Sequence, residues 1–296
     1  MNKNLRGALL LLLAAVIWGF AFVAQSVGME KIGAFTFQAS RMLLASLVLL
    51  PAAYISGKMR EKATGEKEPF LDKKTLTAGI ICGVFLFGAA SLQQIGIAYT
   101  TVGHAGFLTA LYLLIVPLLG IFTGKKVSAR IWLCIALALA GLYLLFMTEE
   151  GFSMSPGDVL ATLCAFVFAL HIITVDKLAG ALNGIKISFV QMTFAGLISL
   201  ICALIFEDIT LSGIAASWLP IAYAGVLSCG VAYTLQIAGQ KYAEPAVASI
   251  VMSLESVFSV IAGALILLQI PSAQELAGCA LMFTATVISQ LPEKKK

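Results

Sequence analysis

Charged residues make up only 11% of this 296-residue sequence, less than half of the roughly 25% that a water-exposed surface carries. Apolar residues make up 60% and the mean hydropathy is +0.99. Most of the surface must therefore face something other than water. Histidine occurs twice, and with scattered cysteines that is too little for a metal site. The six cysteines (Cys82, Cys134, Cys164, Cys202, Cys229 and Cys279) all fall within apolar runs and have no close pairing, so they read as small apolar residues rather than disulfide partners. A Walker loop is missing, which leaves no visible ATP drive. No Gly-x-Ser-x-Gly element marks a hydrolase. Ten-residue stretches of strict alternation, the signature of a membrane β-barrel, are missing too.

What the sequence has in quantity is long apolar blocks. A helix needs about 20 such residues to cross roughly 30 Å of hydrocarbon, and unsatisfied backbone amides in lipid favour helices. The blocks predict ten spans: 7–27, 33–56, 76–99, 102–122, 129–147, 157–176, 185–206, 217–239, 245–268 and 273–291. Lys3 and Arg6 before the first block resemble the start of a signal peptide. No convincing small-x-small site follows, and nine further blocks do, so the first block is read as a retained span.

Lys and Arg are distributed unevenly across the alternate loops. With the amino terminus in the cytoplasm, 17 of the 19 fall on that side, the exceptions being Lys31 in an outer loop and Arg41 within a span. By the positive-inside rule both termini are cytoplasmic, which places the chain in the cell inner (plasma) membrane as a multi-pass protein. The net charge of +4 then reflects topology, not nucleic-acid binding. Residues 57–75, rich in Lys and Glu with Gly65 and Pro69, read as a flexible cytoplasmic linker.

The chain also resembles itself. A shift of 143 aligns 89–133 with 232–276 without a gap, and nine positions match, among them Gln93/Gln236, Gly96/Gly239 and Leu111/Leu254. A shift of 150 aligns Gly7 with Gly157, and one of 153 aligns Gln38 and Ser46 with Gln191 and Ser199. Two halves of five spans each must sit in opposite orientations, a recurring plan of secondary transporters. The expected fold is an all-α membrane protein of ten transmembrane helices, arranged as inverted five-helix repeats over 1–147 and 157–296.

The stretch AAVIWGFAF at Ala14–Phe22, followed by Arg41 in the second span, resembles the opening of the drug/metabolite transporter superfamily in its EamA-domain branch. Gly157-Asp158, Gln240-Lys241-Tyr242 and Leu254-Glu255 look similar to the second repeat of that family. The resemblance covers essentially the whole chain. It departs where the family often has Pro after the ninth-span Glu and Gly-Glu beyond that span; here stand Ser256 and Leu268-Gln269. The resemblance implies an alternating-access transporter, often an exporter of amino acids or related metabolites, with a cavity lined mainly by spans 1, 3, 4, 6, 8 and 9.

An ionisable residue inside a span costs about 2.5–3.5 kcal/mol on insertion scales, so each one needs a reason. Glu255 lies ten residues into the ninth span, about 15 Å deep at 1.5 Å per residue, and is the deepest acid. It either binds a substrate amine or coupling proton, or makes a structural hydrogen bond. Arg41 enters the second span to about 12 Å and is read as a structural or gating pair for Glu255, with a substrate carboxylate as the other option. His171 is a candidate proton relay or an interhelical bond. The matched amides Gln93 and Gln236 suit a polar cavity or interhelical glue. Trp18, Tyr112 and Tyr233 are candidate cavity aromatics, with plain packing as the alternative.

These residues together predict a secondary transporter of small polar metabolites, not an enzyme. The rival readings are an intramembrane enzyme on lipid-linked substrates, which lacks clustered polar residues at a membrane face, and a sugar-phosphate or nucleotide-sugar exchanger. The exchanger usually wants buried cations for phosphate, and only Arg41 qualifies. The expected partners are the lipid bilayer and a small-molecule substrate, with a proton as candidate coupling ion. No cofactor, metal or nucleic acid is expected, and a homodimer is not indicated.

Overall fold

The computed structural model describes residues 3–65, 69–100, 102–122, 124–146, 155–180, 182–266, 268 and 270–291. Among these the regular structure is entirely helical. The elements are α1 (Lys3–Gly28), α2 (Ala34–Thr64), α3 (Lys73–Ile97), α4 (Val102–Ala110), α5 (Tyr112–Phe122), α6 (Ala129–Phe146), α7 (Pro156–Ala179) and α8 (Gly184–Phe206). There follow α9 (Leu211–Ala216), α10 (Trp218–Ala222), a π-helical segment (Tyr223–Ala232), α11 (Tyr233–Gln240), α12 (Pro245–Met252), α13 (Glu255–Ile266) and α14 (Ala273–Gln290).

Among the described residues, eight continuous or interrupted helices are long and apolar enough to cross a membrane. The other two blocks read as spans form α6, which is shorter, and α14, whose ends carry Gln274, Glu275 and Gln290. These two pack against each other, and Gly141 and Gly278 permit a close crossing: a Cβ on either would sit 2.6–2.7 Å from the other's carbonyl oxygen.

Helix starts are fixed by side chains that take up free amides. Asp72 accepts from the Thr75 amide at 2.6 Å. Ser155 with Asp158, and Ser272 with Glu275, form reciprocal capping boxes. One expectation fails here. The stretch 57–64 continues α2 for two further turns and is not a loose linker. Its Lys, Arg, Met and Glu residues are good helix formers, Lys58 and Glu61 pair at 3.0 Å one turn apart, and Gly65 ends the helix at φ 75°, where a Cβ is disfavoured.

Packing follows a crossed pattern. α1 lies against α11, α12 and α13, while α7 lies against α3, α4 and α5; α2 packs on α8. Two glycine crossings repeat this pattern. A Cβ at Gly157 would meet the Gly96 carbonyl at 2.6 Å, and one at Gly7 would meet the Gly239 carbonyl at 3.1 Å. The largest buried cluster joins α1, α5, α6, α7 and α12–α14, and a second joins α2, α3, α8 and the π segment. The outer faces are as apolar as the inside: Leu47, Leu133, Leu163 and Leu204 are each half exposed or more. In water such a surface is a liability; against lipid tails it is neutral.

Candidate functional site

Two of the predicted spans are interrupted. The fourth breaks at Leu111 between α4 and α5, and the ninth breaks at Ser253-Leu254 between α12 and α13. In both, the backbone tightens from i→i−4 to i→i−3 bonding: Leu111 donates to the Leu108 carbonyl at 3.2 Å, and Leu254 donates to the Val251 carbonyl at 3.2 Å. Short tightened turns inside a helix commonly mark hinges or functional positions. The residue after each break opens a new helix. Those residues are Tyr112 and Glu255, and the Tyr112 hydroxyl donates to Glu255 Oε1 at 3.0 Å. The two are 143 residues apart, the same offset that aligns the sequence with itself.

Around this junction the chain leaves a narrow cavity of about 50 Å³, room for a few waters. Six of the seven residues read from the sequence as substrate-binding or coupling line it: Trp18, Gln93, Tyr112, Tyr233, Gln236 and Glu255. Arg41 lines it as well. Glu255 is 6% exposed and Arg41 4%, so both groups are removed from bulk solvent. α1 reaches the junction because residue 19 has no side chain: a Cβ there would lie 2.8 Å from the Glu255 carbonyl oxygen. This close approach brings the adjoining Trp18 edge-on to Tyr233, with ring centroids 4.9 Å apart.

The polar groups of the cavity are incompletely paired. Gln93 Nε2 reaches Thr109 Oγ1 at 3.4 Å, a long bond. Trp18 Nε1, Gln25 Oε1, Arg41 Nε and Gln236 Oε1 are all buried without a partner among the described residues. Most buried polar groups are paired; unpaired atoms also occur elsewhere in the bundle, on Gln94 and His171 for example, and these four line one cavity.

Two sequence expectations change. His171 does not line the cavity; it stands behind Tyr233, 6.0 Å between ring centroids, and its Nε2 lies 3.2 Å from Gln191 Oε1. That contact joins α7 to α8, while the His171 Nδ1 has no partner among the described residues. Arg41 and Glu255 share the cavity yet form no ion pair; among the described residues the salt bridges are Lys58–Glu61 and Lys125–Asp176. Sequence reasoning also missed Gln25, Thr109, Ser228 and Cys229, which line the cavity. The last two lie on the π segment, whose wider turn has no signature in the sequence. Ser256, which stands where proline was expected, turns its hydroxyl to the Gly106 carbonyl at 3.4 Å, tying the start of α13 to α4.

A wider cavity of about 410 Å³ opens at the end of the bundle that holds Asn4, Lys125, Lys126, Arg130 and Glu244. Ile172 faces the narrow cavity and its neighbour Ile173 the wide one; on α5, Tyr112 and Val116 divide in the same way. α5 and α7 are thus the partition between the two.

Outside the spans, the Thr75 amide bonded to the Asp72 carboxyl holds its pKa below the ordinary value. Burial lowers Lys241, whose ammonium donates to the Leu182 carbonyl. Neither group touches the narrow cavity.

Comparison with known proteins agrees with this architecture. A solved crystal structure superposes with a TM-score of 0.73 over 95% of each chain at 19% identity, which shows a shared fold. An uncharacterized transporter from Archaeoglobus fulgidus is 27% identical over 295 residues, spanning 98% of this chain and 87% of that protein. The sequence profile of the EamA-like transporter family matches residues 5–147 and again 155–290. The chain is a multi-pass membrane protein that belongs to the EamA-like transporter family.

Proposed function

We propose that the protein is a secondary active transporter that exports small polar metabolites such as amino acids by alternating access. Its two five-helix halves, 1–147 and 157–296, supply ten transmembrane helices related by an axis in the membrane plane. The observation that carries this reading is the narrow cavity at the meeting of two broken helices, lined by a buried acid, a buried guanidinium and unpaired amides. Discontinuous helices at the middle of paired repeats are where secondary transporters hold their substrates. The crossed packing supports the repeat: α1 lies on the broken ninth span, α7 on the broken fourth, and the Gly7–Gly239 and Gly96–Gly157 crossings are repeat mates by the alignment.

The wide cavity supports an inward path. With the termini cytoplasmic, as the 17 basic residues on that side favour, it forms a vestibule that α5 and α7 separate from the site. Movement of α5 about the Leu111 turn would join the two spaces. Glu255 is the candidate position for an amine or a coupling proton. The deciding measurement is efflux from proteoliposomes loaded with a labelled amino-acid mixture, with and without an imposed proton gradient. Time-dependent release that a gradient accelerates and empty liposomes lack is the expected result. Release no faster than from empty vesicles, across all twenty amino acids, refutes the amino-acid reading.

A further inference from the structure

Arg41 is the one cation lining the narrow cavity, and nothing of opposite charge satisfies it. Its side chain is 96% withdrawn from solvent, its Nε has no hydrogen-bond partner, and among the described residues no carboxylate lies within 4.0 Å of it. The Phe37 ring centroid lies 5.5 Å from its guanidinium carbon. A ring face eases a desolvated cation but leaves the buried Nε–H donor unspent. A guanidinium withdrawn from bulk water is expensive unless something with oxygens completes it.

Glu255 is not that partner. Its Oε1 already accepts from Tyr112, and among the described residues it forms no ion pair with Arg41 although both line one cavity. The same cavity carries further unpaired groups of both senses: Trp18 Nε1 is a second idle donor, and Gln25 Oε1 and Gln236 Oε1 are idle acceptors. Much of the remaining wall is apolar, with Met42, Phe168, Ile172 and Met252 in the lining. Donors for an anion, acceptors for a cation and apolar walls on one cavity describe one kind of occupant.

We infer that Arg41 is the anion-binding residue of the transport site, receiving the carboxylate of a small zwitterion whose ammonium lies against Glu255 and whose side chain meets the apolar walls. The inference rests on the transporter reading and assigns to Arg41 the selection among its substrates. A planar fork matches a carboxylate with two parallel bonds, which a hydroxyl, an amide or an ester cannot reproduce. Because the cavity is narrow as it stands, the occupant must part the α5 and α13 openings to enter. Binding and the motion at the helix breaks are then one event.

The test uses the full-length protein in lipid nanodiscs, with thermal shift and calorimetric titration. Three compound sets are compared: the twenty standard amino acids, their carboxamides, and the matching acids lacking the amine. Wild type should bind at least one amino acid and bind its carboxamide at least about 30-fold more weakly. Arg41→Gln should lose that difference, binding acid and carboxamide alike, while Arg41→Lys keeps part of it. With no ligand, Arg41→Gln should melt at or above the wild-type temperature, because it removes an uncompensated charge.

Three outcomes overturn the inference. The first is an amino acid that binds Arg41→Gln as tightly as wild type. The second is unliganded Arg41→Gln and Glu255→Gln each unstable but stable when combined, the mark of a hidden ion pair. The third is no binding from any set. In each case gradient-driven efflux, measured separately in proteoliposomes, decides whether the transporter reading survives the loss of this site.

Discussion

Replacing Glu255 by Gln removes a charge and almost nothing else, so it separates a working carboxylate from a structural one. The side chain is 6% exposed, and the contact that fixes it is the hydrogen bond from the Tyr112 hydroxyl at 3.0 Å. In the Gln variant the amide oxygen still accepts that bond, so folding should change by less than about 1 kcal/mol, the net worth of one ordinary hydrogen bond. Transport should change far more. Truncating one member of a buried, hydrogen-bonded charge pair costs about 2–5 kcal/mol, which is a loss of roughly 30-fold to several thousand-fold in affinity. Glu255→Leu supplies the contrast, because it leaves the buried Tyr112 hydroxyl without its acceptor, at about 1–3 kcal/mol of stability. The assay pairs initial efflux rates from proteoliposomes with melting temperature in the same lipid for wild type and both variants. The expected pattern is Glu255→Gln folded but inactive, and Glu255→Leu inactive and also less stable. Wild-type flux from Glu255→Gln at equal incorporation would remove the carboxylate from the mechanism, leaving a neutral polar residue that holds two helix breaks together.

Other expected outcomes test separate parts of the molecule. Gly278→Val should force α14 off α6, because a Cβ there meets the Gly141 carbonyl oxygen at 2.6 Å; a loss of about 1–3 kcal/mol should lower the melting temperature, whereas Gly180→Ala, which meets nothing within 4 Å, should not. Asp72→Ala should cost about 1 kcal/mol by uncapping α3. Because the Asp72 pKa is held down by the Thr75 amide, the cap contributes fully above the ordinary carboxylate range and is lost only as pH falls through the depressed value. The gap in stability between wild type and Asp72→Ala should therefore be constant near neutrality and close in acid. Reporter fusions ending at residue 209 and at residue 296 should label the exterior and the cytoplasm respectively; a carboxyl terminus found outside would undo both the span count and the inverted repeat.

The helices were legible because lipid leaves the backbone so few alternatives. A block of twenty apolar residues between polar turns has to be a helix if it crosses a membrane, and the expected span ends at 27, 99, 176 and 206 lie within three residues of the helix ends at Gly28, Ile97, Ala179 and Phe206. Composition misled at residues 57–64. Lys, Arg and Glu are rich in linkers, and they are equally good helix formers, so a polar stretch directly after a helix can be its continuation. Which faces meet was not legible. In a soluble helix the buried stripe shows as a 3.6-residue period. Here the lipid-facing side is apolar too, as Leu47 on α2 and Leu204 on α8 illustrate, so the period is blurred and the sequence names the helices without saying how they turn.

The site divides along the same line. Glu255, Arg41, Gln93 and Gln236 stood out because a polar group in a span has a cost that some partner must meet, and that reasoning needs depth but no geometry. His171 carries the same cost, yet it meets Gln191 on a face that looks away from the cavity. A single sequence cannot tell a polar residue that is paired from one that is waiting. The breaks at Leu111 and Ser253-Leu254 were silent for a different reason. Neither has a glycine or proline within the turn, and the backbone there gives up i→i−4 bonds for i→i−3 bonds that any residue can make. What holds the turns open is tertiary: Ser256 reaching the Gly106 carbonyl, Gly19 admitting α1 against Glu255, and Tyr112 bonded across to the other break. One trace of this did lie in the sequence. Leu111-Tyr112 and Leu254-Glu255 fall on each other under the 143-residue shift, so wherever one half breaks its helix the other has the same place to do so. If each turn is held open by contacts from across the molecule, an occupant that separates Tyr112 from Glu255 loosens both at once.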